Sequence, residues 1–368
     1  TLQTMGFAVP YPVASTTLHL STNQTTDISE LLNYHSNLLQ QRETFPHDMD
    51  GAVYKVGDMA LRTTLGTTTR APRWALAHKF PALTVMAPLL GMSVQVGRTG
   101  ALTPVALLQP VDINGVSVQR ATLHNYGCVQ TLFEGRTQVP VGTWVMVRRA
   151  GDVIPQVIRT VDLAVATTSS NSDMISLEAP THCPACNSPV IRGEDEAVLR
   201  CGGPPLQCPP RAIAALAHSF SRDALDIKGL SEKKLEQLRN ESILTRPSDL
   251  FQLNDTVMAT IAELPGWGPK SAKNLNDTAK QVANNGVTLG RFIYSLGIRF
   301  AGQQSSDLVA AQYGTVEAFF QDKDDNYSRL LAVKGIGPAL LSSLQTFAKD
   351  EVMFQEARAL ASVLLVRP

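Results

Sequence analysis

Four of the five cysteines fall within 26 residues, at Cys183, Cys186, Cys201 and Cys208, while Cys128 stands apart. A disulfide framework is out of place in a chain of 368 residues with no charged n-region followed by an apolar h-region. A metal cluster is the better reading. Cys183-Pro184-Ala185-Cys186 is a C-x2-C knuckle, and Cys201 and Cys208 complete four thiolates. Zn(II) takes four tetrahedral ligands, and a closed set of four thiolates leaves no position for water, so such a site is structural rather than catalytic. The competing picture, four scattered core thiols, fits the clustering poorly. His182 is adjacent but superfluous as a ligand. Gly202 and Gly203 are expected to permit a tight turn after Cys201.

The rest of the composition sets bounds. At roughly 100–200 residues per domain the chain holds two to four domains. With 44% hydrophobic and 17% charged residues it can bury sizeable cores. A net charge of zero neither favours nor excludes a nucleic-acid partner, which needs a local basic face rather than a basic whole. No apolar run is long enough to span a membrane. The longest, Val85 to Leu90 with its internal Pro88, suits a strand or linker. The chain starts at Thr1 rather than Met, which leads us to expect a processed or truncated start.

Along the chain, residues 1–83 mix helix and strand signals. Asp27 to Gln41 reads as a helix, with Asp27 as N-cap, Glu30 completing a capping box, and Ile28, Leu31, Leu32 and His35 at helical spacing. Met49 to Val56 and Trp74 to Phe80 read as strands. Each carries one lysine, Lys55 and Lys79, among apolar neighbours. An inward lysine needs a negative charge such as a nucleotide phosphate, whereas an edge-strand lysine needs none; the pattern alone leaves both open. Residues 84–165 hold five or so short β-branched runs punctuated by glycine, as a small barrel requires. This stretch contains six arginines and no lysine, which favours bidentate phosphate contact. Arg98-Thr99-Gly100 follows a strand, and Arg148 to Pro155 joins two guanidiniums to the apolar pair Val153 and Ile154. That pair is either core or a groove contact. Residues 166–178, rich in Ser, Thr and Asn, read as a linker or surface loop.

From residue 212 onward the pattern is helical, and one local unit recurs at Ile227, Leu264, Leu296 and Val333, spaced by 37, 32 and 37 residues. Each unit is a hydrophobe, a Gly-containing turn and an amphipathic helix start. Repeats of that length are supersecondary units that stack. A glycine turn between two helices presents backbone N–H groups and a helix N-terminus, an anion site that tracks a sugar-phosphate chain without reading bases. Gly266, Gly268 and Lys270 form the clearest such turn, with Gly335 and Gly337 in another. Gly229 and Gly297 are less typical, with packing as their competing role.

Several stretches in this order make the chain resemble the NAD-dependent DNA ligases of bacteria. Asp50 to Val56 (DGAVYKV) and Arg70 to Pro81 (RAPRWALAHKFP) resemble the family's fourth and fifth nucleotidyltransferase motifs. Val96 to Ala106 (VGRTGALTPVA), Ala121 to Asn125 (ATLHN) and Arg148 to Val157 (RRAGDVIPQV) resemble signature stretches of its OB barrel. The resemblance implies a multidomain α+β architecture. Its parts are a partial nucleotidyltransferase (adenylation) core over 1–83, an OB-fold over 84–165, a four-cysteine zinc finger over 179–211, and a helix-hairpin-helix domain of four motifs over 212–368.

The resemblance further implies a three-step reaction. A lysine attacks the α-phosphorus of NAD and expels nicotinamide mononucleotide, AMP passes from the lysine to the 5′-phosphate at a nick, and the 3′-hydroxyl then displaces AMP. Mg(II) assists each step. By carry-over Lys55 and Lys79 contact the nucleotide, Asp50 organises the site, and Arg42 contacts phosphate. Arg98, Thr99, Arg149, Val153 and Ile154 touch DNA around the nick. Implied partners are NAD, Mg(II), structural Zn(II) and nicked duplex DNA, with no membrane. The protein is expected to be monomeric, in bacterial cytoplasm or in an organelle of bacterial descent.

Two departures stand out. No K-x-D-G occurs and the first lysine is Lys55, so the nucleophile is expected upstream of Thr1. A partial core should also expose apolar surface. Six residues separate Cys201 from Cys208, one more than the family pattern, so that loop is expected to bulge. The alternative function is a non-catalytic nick- or duplex-binding module. A third reading, another helix-hairpin-helix repair protein, leaves the two strand lysines without a purpose.

Overall fold

The computed structural model describes residues 28–46, 49–68, 71–113, 115–150, 154–161, 173–193 and 196–368. The chain divides into two compact units: residues up to 88 with 108–121 and 144–161, and residues 89–107, 122–143 and 162–368.

In the first unit α1 (Ser29–Gln40) lies in sequence before β1 (Gly51–Lys55), α2 (Met59–Leu65) and β2 (Ala75–Lys79). The predicted cap Asp27 lies outside the described residues; the helix enters at Ile28 without a side-chain cap. Strands β1 and β2 pair antiparallel, Gly51 opposite Lys79 and Lys55 opposite Ala75. Successive side chains alternate across a sheet. One face therefore carries Ala52, Tyr54 and His78. Leu38, Ala52 and Phe80 form a small core, partly covered by Tyr34 and Tyr54. Tyr54 Oη donates to Leu31 O at 3.0 Å, and the rings of His35 and His78 stack at 3.7 Å. Asp58 caps α2 by accepting from the amides of Ala60 and Leu61. The expected apolar exposure is present: Val53, Met59 and Leu76 are all well over half exposed.

Five strands, β3 (Thr84–Val96), β4 (Leu102–Ile113), β5 (Val116–Thr122), β7 (Trp144–Ala150) and β8 (Ile154–Thr160), close as a barrel in the order β3-β4-β5-β8-β7. Pro88 sits within β3 rather than in a linker, paired with Trp144. Between β5 and β7 come α3 (Tyr126–Leu132), capped by Asn125 accepting from the Cys128 amide, and β6 (Gln138–Pro140). The expected linker at 166–178 is only partly so. Within the described part, β9 (Met174–Ser176) pairs antiparallel with β6. The reason is apolar: Ile175 and Leu177 are both buried, so the serine-rich stretch ends in two core residues.

The second unit continues with the finger strands β10 (Val190–Ile191) and β11 (Arg200–Cys201), then helices α4 (Pro209–Ser219), α5 (Glu232–Asn240), α6 (Asp255–Glu263) and α7 (Pro269–Asn285). After a short β12 (Val287–Thr288) come α8 (Leu289–Ser295), α9 (Gln303–Tyr313), α10 (Val316–Gln321), α11 (Pro338–Lys349) and α12 (Glu351–Val363). Strand β13 (Val366–Arg367) returns parallel to β12. One continuous core runs through these helices, including Leu235, Leu275, Phe292, Phe319 and Leu344. Burial of this kind, not propensity, stabilises such short helices.

A single carboxylate ties the last long helix to the middle of the domain. Glu356, 4% exposed, accepts from Ser248 N at 2.8 Å and Ser248 Oγ at 2.9 Å. Burial, the largest influence, holds its carboxyl above the usual range despite those donors. For an acid the sign follows directly. A raised folded value means that the charged form is penalised in the fold, so stability declines as pH rises from the ordinary glutamate range through the raised value. Urea unfolding should show that decline from acid to neutral pH, and Glu356→Gln should flatten it.

Candidate metal and nucleic-acid sites

The cysteine cluster is built by three local features. In the knuckle, Asn187 N donates back to Cys183 O at 2.9 Å and Cys183 N donates to Ser188 O at 2.8 Å, with Asn187 in the left-handed region. Cys201 ends β11, and Cys208 immediately precedes α4, whose first turn opens on Pro209 and Pro210. All four sulfurs lie within 4.8 Å of one another; Cys183 to Cys208 is 4.0 Å and Cys186 to Cys201 is 3.4 Å. Tetrahedral zinc with Zn–S near 2.3 Å places its sulfurs about 3.8 Å apart, so the cradle fits the ion.

Charge makes the same demand. Burial pushes the Cys201 and Cys208 thiols up, while a hydrogen bond with Ser188 brings Cys186 down to about 6. Buried thiolates persist only against a cation. His182 takes no part in the cluster and contacts Thr181 instead. Gly202 and Gly203 serve close approach rather than a turn: a Cβ would meet Pro189 O at 2.9 Å and Ser188 Oγ at 2.3 Å respectively.

In the first unit the structure gathers residues that the sequence scattered. Arg42, Asp50, Lys79 and Arg149 line one cleft, floored by Phe80 and Pro81. Lys79 Nζ lies 2.6 Å from Asp50 Oδ2. That contact, ahead of the other influences, holds the Asp50 carboxyl below its ordinary value. The pair is about half exposed, so it contributes little to stability. The register puts Lys55 and Lys79 on one sheet face, at opposite ends. Four residues at about 3.4 Å each separate them along the sheet. Lys55 lies outside the cleft.

The remaining predicted residues divide. Ile154 opens β8 and is 60% exposed, which removes it from the core; Val153 lies outside the described residues. Gly266 and Gly335 adopt left-handed backbone, and Gly268 and Gly337 lead directly into α7 and α11. Gly266, Lys270, Gly335 and Gly337 are exposed. Arg98 and Thr99 are half-buried, bonded to Gly297 and Arg200. Sequence reasoning missed Glu196, Arg200 and Arg211. Arg211 Nη1 donates to the carbonyls of Cys201 and Gly203, and Glu196 pairs with both Arg200 and Arg299. Their only signal was proximity to the cysteines.

Taken together, these features define a two-stranded sheet beside a charged cleft, a five-stranded barrel, a four-cysteine finger and helices joined by glycine turns. Family profiles match in that order: the NAD-dependent DNA ligase adenylation domain over residues 4–83, its OB-fold domain over 86–169, its C4 zinc finger domain over 182–209, and a helix-hairpin-helix motif over 291–355. The chain belongs to the NAD-dependent DNA ligase family. It is 38% identical over 345 residues to a protein named DNA ligase from Rickettsia bellii (strain OSU 85-389), and 37% identical to that of strain RML369-C. Each alignment covers 91% of this chain but 48% of the relative, so the chain spans about half the length of these relatives.

Zinc removal tests the metal centre. The purified chain should carry one zinc, and chelation should release it and lower the melting temperature by several degrees, since structural zinc contributes folding energy outright. Cys208→Ser should do the same without chelator. A chain that is metal-free and equally stable would contradict the site.

Proposed function

We propose that this chain is the DNA-gripping part, with a share of the nucleotide site, of a ligase that seals 5′-phosphate/3′-hydroxyl nicks in duplex DNA. NAD is the AMP donor, Mg(II) assists, and the setting is replication and repair. The observation that carries the reading is the convergence of Arg42, Asp50, Lys79 and Arg149 on one cleft, beside a sheet face that also bears Lys55.

The chain's own residues supply binding and orientation. The ammonium groups of Lys55 and Lys79 offset negative charge on the nucleotide's phosphates. Asp50 holds Lys79 Nζ in place across the top of β2, so the cation is pre-oriented rather than free to rotate. Arg42 approaches the same cleft as a bidentate phosphate donor. Arg149 and the exposed Ile154, with Val153 beside it in sequence, meet the duplex near the nick: a guanidinium for the backbone and an apolar pair for the groove. The exposed turns at Gly266, Gly268 and Lys270 and at Gly335 and Gly337 hold phosphates without reading bases. A single copy of the chain acts on the duplex.

The nucleophilic lysine of the family's K-x-D-G is not among these 368 residues, which favours duplex binding alone as the second reading for this chain by itself. Two measurements separate the readings. Fluorescence anisotropy should show this chain binding nicked duplex, with affinity falling steeply as salt rises. Joining with NAD and Mg(II) should fail for this chain and succeed, with a lysine–AMP adduct, for a polypeptide that also carries the K-x-D-G segment. In that longer protein Lys79→Ala should slow joining about a hundredfold or more, in line with loss of one preorganised charge-stabilising donor. An inactive longer protein beside a short one that binds nicks would make the binding module the correct reading.

A further inference from the structure

The four hairpin turns are not equivalent. At Gly229, Gly266, Gly268 and Gly337 an added Cβ would meet no heavy atom within 4 Å, so these positions open outward; at Gly335 it would meet only the flexible end of the Leu308 side chain, at 2.9 Å, and no polar group. At Gly297, in the third turn, the same Cβ would lie 2.7 Å from Arg98 Nη1 and 3.3 Å from His218 Cδ2. The space before the third turn is filled by the loop between β3 and β4, which belongs to the same compact unit.

The filling is specific. Arg98 Nη1 donates to Gly297 O at 2.7 Å, and Gly297 N donates to Tyr294 O at 3.1 Å, so both polar backbone groups of Gly297 are bonded within the protein. Tyr294 O also lies 2.7 Å from His218 Nε2 on α4, which makes that nitrogen the donor. Burial and then Arg98 keep His218 below its ordinary pKa, so the imidazole is neutral beside the guanidinium. On the other side of the loop, Arg200 Nη1 donates to Thr99 O at 3.2 Å and Thr99 Oγ1 at 3.0 Å. Arg200 Nε in turn reaches Glu196 Oε2 at 2.7 Å, and Glu196 holds Arg299, two residues beyond Gly297. Gly100 O accepts from Cys201 N at 2.9 Å, linking the loop to a zinc-cluster cysteine.

We infer that the third hairpin turn is an internal socket for the barrel loop Gly97–Gly100, with Arg98 and Thr99 as positioning residues, and that it leaves the gripping of phosphate to the other three hairpins. A charge-assisted hydrogen bond to a carbonyl in a half-buried site exceeds an ordinary one. A left-handed Gly297 is the only residue type that leaves room for it without strain. The loop, the finger and the hairpin domain thereby present their DNA-facing groups in fixed register. The benefit to binding rests on the DNA-binding reading above; the socket itself does not.

The test uses the full 368-residue chain with Arg98→Ala, Gly297→Ala, the double variant and Arg98→Lys, each measured for urea stability and for binding to a nicked duplex. The socket predicts strong coupling: the double variant should be no less stable than the worse single one. Arg98→Ala and Gly297→Ala should each weaken nick binding about tenfold. The slope of log affinity against log salt should stay unchanged, because no phosphate contact is lost. Arg98→Lys, which keeps the charge but not the planar fork, should retain the deficit. Additive stability losses would overturn the socket whether or not the chain binds DNA. So would a silent Gly297→Ala together with an Arg98→Ala that lowers the salt slope by about one unit, the mark of a direct phosphate contact. Failure of the unaltered chain to bind any duplex would instead sink the functional reading and leave the stability cycle standing.

Discussion

The stretch between the barrel and α4 is organised by four sulfurs, all within 4.8 Å of one another, a cradle for one ion. Cys201 ends a strand whose amide is bonded to the barrel loop, and Cys208 sets the start of α4. An ion held there would join three short segments within 26 residues and would replace an apolar core that the stretch between the barrel and α4 is too short and too polar to build. What core exists there is largely the cysteines themselves, with Val96 and Leu102 of the barrel strands packed against them. Arg211, with its guanidinium bonded to the carbonyls of Cys201 and Gly203, braces the same loop from the helix side.

The hairpin domain depends on a different economy. Its helices are short, several of fewer than ten residues; most bury one face, while α8 has no exposed residue. Stability is collective, through a core that runs from Leu216 to Leu364. Such a scaffold leaves turns free to specialise. Gly229, Gly266, Gly268 and Gly337 have open space where a Cβ would stand, while Gly297 of the third turn faces Arg98 and His218. Turns alike in sequence pattern therefore differ in their surroundings.

Much of this was legible in the residues. The C-x2-C knuckle with two further cysteines located the metal centre because few other arrangements place four soft ligands so close. Strand-like runs located β1 and β2, β-branched runs punctuated by glycine located the barrel strands, and the recurring glycine turns located the hairpins. What the sequence could not show was direction. Arg98 and Thr99 sit in a glycine-flanked loop that looks exposed, yet their partners, Gly297 and Arg200, lie about two hundred and one hundred positions away. Likewise Met174–Ser176 looked like linker because its neighbours are Ser, Thr and Asn, and only pairing with Gln138–Pro140 reveals the buried Ile175. Long-range partners leave no local trace. The cleft of Arg42, Asp50, Lys79 and Arg149 shows the same in reverse, four residues spread over more than a hundred positions that meet at one place.

The two-stranded sheet of β1 and β2 acts as a ruler. Because side chains alternate, a slip of one residue in pairing would turn Lys79 to the helix-covered face and bring His78 into the open. The stack of His35 on His78, and the contact of His35 Nε2 with Lys79 O at 3.2 Å, resist that slip from the α1 side. Helix α2, between the strands, is tied to their ends through Arg62, which donates to Val56 O and lies over the Trp74 ring at 4.7 Å. The spacing from Gly51 to Lys55 and from Ala75 to Lys79 is fixed by this pairing and should not drift across relatives. The distance between two cations is thus stored in hydrogen-bond register rather than in the length of chain that connects them.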